Sequence, residues 1–408
     1  MSNLLLYSQA LKKDKHRVRD YLLMLILIAV TGMEYFHRSQ NYILIGFVIS
    51  CICFFKQGEK LNREFAIVAL LFLVIESFQY VVFGGFNVRT FSGTYIRLFL
   101  AFSVVTLLKK KFFLYYVNVI YWLSVISLFF YAATLIPGVN EFYVDYLGNL
   151  IPNLFEQDGF YTQNKNIIVY NFNVVALESY RNSGPFWEPG AFAIFLMIAL
   201  LFNTIYEKSL WSKKNLIFVI SIITTFSTVG YLCLFVFILY MNYSRLKKNF
   251  LYLIALIFLF FTSFFLYEYI PFLKSKIQMD IDYGAETTSS RFGSAIADFN
   301  AFMRSPLFGY GRAGAKVDFR DEMFFEAEDH RNNGVFNLLV TYGIFIFLFY
   351  FFKITQVFKS IAKYYGFSNM YILSSVIIII LLGFSQGIFM RPFFYSFLFI
   401  PALFSKTH

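Results

Sequence analysis

Residues 216–243 read LIFVISIITTFSTVGYLCLFVFILYMNY, an apolar run that is interrupted near its centre by the polar and small residues of 226–230. The run is longer than the ~20 residues that one transmembrane helix needs. Clusters of lysine and arginine flank it, at 208–214 on one side and at 245–248 on the other. Basic clusters beside membrane segments mark the cytoplasmic side. We therefore predict a hairpin of two short helices, which returns both clusters to the cytoplasm.

Apolar runs of membrane-segment character recur along the whole chain. They are 20–37, 41–55, 65–83, 95–108, 112–136, 189–206, 250–270, 334–357, 370–389 and 392–404. With the hairpin they predict an all-α, polytopic transmembrane helical bundle of about 12 membrane segments, with both chain ends in the cytoplasm. We expect one integral membrane domain over residues 1–408. A helix break inside the membrane is tolerated only where protein or a water-filled cavity surrounds it. We therefore predict that residues 226–230 form the floor of an outward-facing cavity.

The composition agrees with a membrane protein. Hydrophobic residues make up 59% of the chain, charged residues 14%, and the mean hydropathy is +0.62. These values exclude a soluble globular enzyme, a disordered tail and a disulfide-rich secreted fold. The net charge of +11 comes from short basic clusters between apolar runs, so we interpret it as a topology signal rather than nucleic-acid binding. The three cysteines lie in apolar runs and show no metal-binding spacing.

Two predicted outer loops, 137–188 and 271–333, are much longer than the others. No inner loop is comparable, and the chain has no phosphate-binding loop of the Gly-x-x-x-x-Gly-Lys-Ser/Thr type. We therefore expect any chemistry to take place on the outer face, without direct use of cytoplasmic nucleotide-sugars.

The first long loop ends in the sequence RNSGPFWEPG, residues 181–190. Pro189 suits the first turn of a following helix. Glu188 then lies at the positive N-terminal end of that helix, which favours the ionised carboxylate. Glu188 is thus a candidate catalytic base close to Arg181 and Trp187, and the simpler alternative is that it only caps the helix.

The second long loop is rich in arginine and carries a histidine. Its candidates for contact with phosphate oxygens are Arg291, Arg312 and Arg331, because guanidinium groups form bidentate, charge-assisted hydrogen bonds with phosphate. His330 is either structural or catalytic. Asp280 and Asp282 are two carboxylates without a third ligand nearby, so we predict no metal site and no cofactor.

Three ionisable side chains lie inside predicted membrane segments: Glu34, Glu76 and Arg97. Burying such groups in a membrane is costly, which suggests a function. Glu76 and Arg97 lie on consecutive segments, so they either form a structural ion pair or Arg97 faces the cavity and contacts phosphate.

Four stretches, in this order, resemble the O-antigen polymerase/ligase superfamily of bacterial surface polysaccharide assembly. They are Arg181 with 184–193 (GPFWEPGAFA), 225–230 (TFSTVG), Ser290 and Arg291 with 305–311 (SPLFGYG), and His330 with Asn333 and Gly343. The resemblance covers roughly residues 180–345, and the N-terminal third matches only as a set of membrane segments.

The resemblance implies an integral glycosyltransferase of the GT-C type. Such enzymes take a glycan from undecaprenyl diphosphate at the outer, periplasmic face of the inner membrane, without a metal ion. Polymerases transfer the glycan to the next lipid-linked repeat unit, whereas ligases transfer it to lipid A–core. The implied partners are the lipid-linked glycan donor and acceptor, the lipid bilayer and a chain-length regulator protein, with no nucleic acid.

The resemblance also suggests roles for residues. The loop histidine and arginines on which the family's ligases rely fall on His330, Arg291 and Arg181, whereas the Phe-Trp-Glu-Pro-Gly element looks more like polymerases. We therefore expect a polymerase, with a ligase as the alternative. Glu188 or His330 is the expected base, and Arg181 and Arg291 are expected to hold the diphosphate together. Arg97, Arg312, Arg331 and Trp187 complete the candidate substrate-binding set.

A different class of protein, a transporter of lipid-linked oligosaccharide, also fits about twelve segments. Transporters often contain two repeated halves. The two long loops follow the fifth and ninth predicted segments, which is not a six-plus-six arrangement, so the pattern favours an enzyme.

Overall fold

Most of the chain forms apolar helices. The computed structural model describes residues 16–84, 87–151, 165–172, 180–243, 254, 291–314 and 333–405. In chain order the helices are α1 (Arg17–Gly32), α2 (Glu34–His37), α3 (Gln40–Lys56), α4 (Arg63–Phe83), α5 (Val88–Leu108), α6 (Phe112–Thr134), α7 (Val139–Asp145), α8 (Pro189–Asn203), α9 (Lys213–Thr224), α10 (Thr228–Met241), α11 (Arg291–Arg304), α12 (Gly311–Gly314), α13 (Gly334–Tyr365), α14 (Asn369–Ser385) and α15 (Pro392–Phe399). The predicted, mainly helical fold is confirmed.

Within the described ranges, three helical stretches are long and apolar enough to cross a membrane: Arg63–Phe83, Val88–Thr134 and Gly334–Tyr365. Val88–Thr134 comprises α5, the 3₁₀ turn Lys109–Lys111 and α6. Shorter apolar helices accompany them: Gln40–Lys56, Pro189–Asn203, Thr228–Met241, Asn369–Ser385 and Pro392–Phe404. These helices define a membrane protein, whereas the count of about twelve segments and the two outer loops stay predictions.

Polar residues start several helices where the chain enters an apolar run. The side chains of Asn62 and Ser212 accept hydrogen bonds from the backbone N–H groups of Phe65 and Asn215, at 2.9 and 3.4 Å. The side chain of Asn333 accepts hydrogen bonds from the N–H groups of Val335 and Phe336 in the first turn of α13. Such caps satisfy backbone donors that have no partner inside the helix.

The chain divides into two compact units. The first contains Met1–Lys60 and Leu100–Met241, and the second contains Leu61–Phe99 and Asn242–His408. In the first unit, α8 is buried almost all around and packs against α6, α9 and α10. A helix that is apolar on every side belongs in the centre of a bundle.

In the second unit, α13 is the helix on which the others pack. It contacts α11, α14, α15 and the 3₁₀ turn Ile400–Phe404. The helix is not continuous in its geometry, because Gly343 has φ +71° and ψ −175°. Gly366, with φ +73°, ends it in the left-handed conformation that glycine favours.

The described part of the first long loop is largely irregular. It contains the short helix α7 and a small antiparallel pair of strands, β1 (Lys165–Asn166) and β2 (Asn171–Phe172), in which Lys165 faces Phe172. Tyr143, Tyr170 and Phe172 form a small apolar cluster that anchors these elements against Phe130 of α6. The second long loop is not irregular throughout, because α11 begins at Arg291 inside it.

Candidate functional site

In the first unit, the break between α9 and α10 is held by the motif that begins at Arg181. The guanidinium group of Arg181 donates to the carbonyl oxygens of Thr225 and Phe226, both at 3.1 Å. The backbone N–H of Asn182 donates to Thr224 O at 2.9 Å. The prediction that 216–243 is two helices rather than one is confirmed, and Arg181 satisfies carbonyls that the break exposes.

These contacts define a positioning role for Arg181. Sequence reasoning proposed that this guanidinium group binds phosphate, and the structure places it on two backbone carbonyls of the helix break. A non-glycine residue with positive φ, Phe226 at +47°, lies at the same point. Arg181 therefore fixes the shape of the break between α9 and α10, and both the hairpin topology and a contact of Arg181 with phosphate stay predictions.

Arg181→Gln is expected to destabilise the protein. Loss of charge-assisted hydrogen bonds to buried carbonyls costs about 1.5–3 kcal/mol each, so the unfolding temperature in detergent is expected to fall by several degrees. The amino group of Arg181→Lys reaches only one carbonyl at a time. A smaller fall in the unfolding temperature is therefore expected for this variant. Unchanged unfolding temperatures for both variants would show that the hairpin does not depend on this side chain.

Glu188 lies where the sequence predicts, at the N-cap of α8 with Pro189 following it in the first turn. Its backbone is extended and its carbonyl accepts the N–H of Phe192 at 3.1 Å. The carboxylate makes no capping hydrogen bond to the helix, and the catalytic role of Glu188 stays a prediction. The helix dipole still favours its negative charge.

In the second unit, the motif 305–311 closes the break of α13 at Gly343. The N–H of Tyr310 donates to Val340 O, and the N–H of Ile344 donates to Pro306 O, both at 2.9 Å. Gly343 has no space for a side chain, because a Cβ there would lie 2.2 Å from Leu307 O. Residues 305–311 and the break at Gly343, which are separate motifs in the sequence, therefore pack together as one structural unit.

Gly343→Ala is expected to destabilise the protein more than a matched glycine substitution. Its φ and ψ are essentially restricted to glycine, which costs a side-chain residue about 1–3 kcal/mol before any clash with Leu307 is added. Gly366 also has positive φ, but a Cβ there would meet nothing within 4 Å. Gly366→Ala is therefore the control, and equal losses of unfolding free energy for the two variants would contradict the packing described.

A cluster of polar side chains lies next to residues 305–311 and Gly343. The carboxylate oxygen Oε1 of Glu76 accepts hydrogen bonds from Thr94 Oγ1 at 2.9 Å and from the Tyr342 hydroxyl at 3.1 Å. Arg312 is the cation that interacts with Glu76. It follows Gly311, where a Cβ would lie 2.9 Å from Gln79 Oε1, so close packing of the turn sets its position.

Arg97 is the second cation of this cluster, and it is only 7% exposed. Its Nη1 donates to Gly93 O of its own helix at 2.9 Å, and its charge interacts with that of Arg312. Among the residues that the structure describes, Arg97 forms no ion pair, so the alternative of a Glu76–Arg97 pair is wrong. By contrast, the buried Lys353 pairs with Glu64 at 2.7 Å.

The cluster contains two guanidinium groups and one carboxylate. The Nη1 atom of Arg312 is buried and has no hydrogen-bond partner among the described residues. Buried charge is unfavourable unless it is paired and hydrogen-bonded. An anion with several oxygens would supply the missing acceptors and charge, and guanidinium groups suit phosphate in particular.

Several candidate residues lie outside the described residues. They are His330, Arg331, Asp280 and Asp282, and the side chain of Arg291 is likewise not described. The expected approach of Arg181 and Arg291 thus stays a prediction. In the described part of the chain, no group of three or more histidine, cysteine, aspartate or glutamate side chains could hold a metal ion.

Comparison with known families supports the resemblance. Residues 215–351 match the family model described as O-antigen ligase, which supports the O-antigen polymerase/ligase superfamily. The matched region includes the hairpin break, the 305–311 motif and Gly343. The match supports an O-antigen ligase/polymerase-like, glycosyltransferase-like function without distinguishing a ligase from a polymerase. No curated protein and no solved structure matches the chain.

Proposed function

We propose that the protein is a surface polysaccharide polymerase. It transfers a glycan from undecaprenyl diphosphate to the next lipid-linked repeat unit, at the outer face of the bacterial inner membrane. The observation that supports this most is the pair formed by the buried Arg97 and the partly buried Arg312, whose two positive charges face the single carboxylate of Glu76, in a protein that matches the O-antigen ligase model.

The proposed role of this pair follows from the chemistry of transfer. The acceptor hydroxyl oxygen attacks the anomeric carbon, the C–O bond to the diphosphate breaks, and undecaprenyl diphosphate leaves with the bonding electrons. Negative charge therefore develops on the diphosphate oxygens. Fixed guanidinium groups in a site that excludes water stabilise such charge effectively. Arg97 and Arg312 perform this role, and Arg291, Arg331 and Arg181 are proposed as further substrate contacts.

The acceptor hydroxyl needs a base that takes its proton as the new bond forms. Glu188 is the proposed base, because its place at the start of α8 favours the ionised form. His330 is the alternative base or its partner. Because guanidinium groups carry the charge stabilisation, we propose that transfer needs neither a metal ion nor a cofactor.

The proposal includes its setting in the cell. The lipid-linked donor and acceptor both lie in the bilayer, and a chain-length regulator protein is a proposed partner. The second candidate function is a ligase that transfers the glycan to lipid A–core, which the description of the matching family favours.

Reconstitution of the purified protein with lipid-linked repeat units distinguishes these functions. A polymerase is expected to convert repeat units alone into a ladder of longer lipid-linked products, also in the presence of EDTA. A ligase is expected to give product only after lipid A–core is added. Translocation of unchanged repeat units across the vesicle membrane would instead indicate a transporter. If EDTA abolishes product formation and Mg²⁺ restores it, Asp280 and Asp282 become candidate metal ligands.

A further inference from the structure

Trp187 contacts a helix break that lies far from it in sequence. Helix α1 ends at Gly32, and Met33 pairs with Phe186 in an isolated antiparallel β-bridge. The N–H of Glu34 donates to Pro185 O at 2.8 Å. This pairing brings the imidazole ring of His37 against the indole ring of Trp187, with ring centroids 5.1 Å apart and planes at 33°. His37 is thus part of the Trp187 environment.

Charged groups hold this ring pair in place. Glu34 is 2% exposed, and its carboxylate lies 2.8 Å from Arg38 Nη2 and 3.7 Å from His37 Nδ1. His37 Nδ1 also lies 3.2 Å from Met33 O. The Nδ1 atom of His37 therefore faces two oxygen atoms, Met33 O and the Glu34 carboxylate.

Trp187 differs from the aromatic residues around it. Its neighbour Phe186 is fully buried and stacks on Phe195, with centroids 4.3 Å apart. Trp187 is only half-buried, although Asn171 fixes the backbone of both residues through Phe186 O and Trp187 O. Phe186 is therefore a residue of the core, whereas Trp187 lies at its edge.

The other two tryptophans fit an ordinary membrane role. Trp122 and Trp211 are 61% and 76% exposed. Tryptophan is enriched where helices meet the membrane–water interface, which accounts for exposed residues of this kind. Trp187, by contrast, is partly buried and packs against His37, whose neighbour Glu34 pairs with Arg38.

We propose that Trp187 and His37, with Glu34 and Arg38, form a sugar subsite that binds a pyranose ring of the acceptor repeat unit. The inference rests on the proposed glycan-transfer function. The indole ring packs against the C–H face of the sugar, and Arg38, whose side chain is 40% exposed, binds its hydroxyl groups. The buried Glu34 carboxylate holds Arg38 and His37 in place. Since Glu188 follows Trp187 directly, a sugar bound here lies beside the candidate base, as the acceptor must.

Fluorescence of Trp187 tests this subsite directly. Substituting the other two tryptophans, Trp122→Phe and Trp211→Phe, leaves Trp187 as the reporter. The probe is the repeat-unit oligosaccharide that mild acid releases from the organism's own lipid carrier. A saturable change in emission is expected with this oligosaccharide, and none with undecaprenyl phosphate, which carries no sugar. An emission that stays constant with the oligosaccharide would overturn the subsite.

Steady-state kinetics of the variants test the sugar subsite separately from the proposed glycan-transfer function. Trp187→Ala is expected to raise KM for the acceptor about tenfold, the value of one lost stacking contact, with a smaller effect on kcat. Trp187→Phe, which keeps an aromatic face, is expected to lie between wild type and Trp187→Ala. An unchanged acceptor KM in Trp187→Ala, while Arg97→Gln stops transfer, would reject the subsite alone. Undiminished transfer in Arg97→Gln would reject the diphosphate role of Arg97 and Arg312 in the proposed function.

Discussion

Arg97→Gln and Arg312→Gln are each expected to lower glycan transfer at least about a hundredfold, because each removes a preorganised group that stabilises charge on the leaving diphosphate. The measurement is the initial rate of lipid-linked polymer formation by reconstituted protein. Arg312→Gln also removes the cation that interacts with Glu76, so its unfolding temperature is expected to fall. Arg97→Gln is not expected to lose stability. Removing one of two interacting like charges relieves repulsion in the cluster, so the unfolding temperature should be unchanged or higher.

Two further variants serve as controls for this result. Arg89 lies on the same helix as Arg97 but is exposed, so Arg89→Gln is expected to keep wild-type activity. Arg97→Lys keeps the charge but loses the planar fork of the guanidinium group, so an intermediate rate is expected. Activity losses in Arg97→Gln that follow a fall in unfolding temperature would instead indicate a structural role for Arg97.

Glu188→Gln is expected to abolish chain extension while the amount of protein in the membrane stays normal. The substitution preserves shape and removes the proton acceptor, and the contribution of a general base is typically about 10²–10⁴-fold. Full-length polymer from cells that carry only Glu188→Gln would exclude Glu188 as the base and leave His330 as the candidate.

Local sequence patterns predicted much of the fold. The apolar runs predicted most of the described helices, and the balance of basic clusters correctly divided 216–243 into α9 and α10. Pro189 predicted the start of α8 and the N-cap position of Glu188. These features depend on residues close together in sequence, where hydrophobic length, charge and helix-start preferences act directly.

The contacts that define the candidate site depend on residues far apart in sequence, and no local pattern encodes them. Arg97 and Arg312 come together only because the 305–311 motif packs into the break at Gly343. Likewise, His37 meets Trp187 through the bridge between Met33 and Phe186. Proximity of Glu76 and Arg97 on neighbouring segments suggested an ion pair, but hydroxyl groups of Thr94 and Tyr342 hold that carboxylate instead.

The proposed transfer reaction depends on binding of the lipid diphosphate by Arg97 and Arg312. The most direct test of this binding is the affinity of nanodisc-embedded protein for undecaprenyl diphosphate, compared with undecaprenol, which has no phosphate. Wild-type protein is expected to bind the diphosphate and not the alcohol, and Arg97→Gln is expected to bind it about tenfold or more weakly, the value of at least one charge-assisted hydrogen bond. Equal affinity of wild type and Arg97→Gln for undecaprenyl diphosphate would contradict the proposed binding.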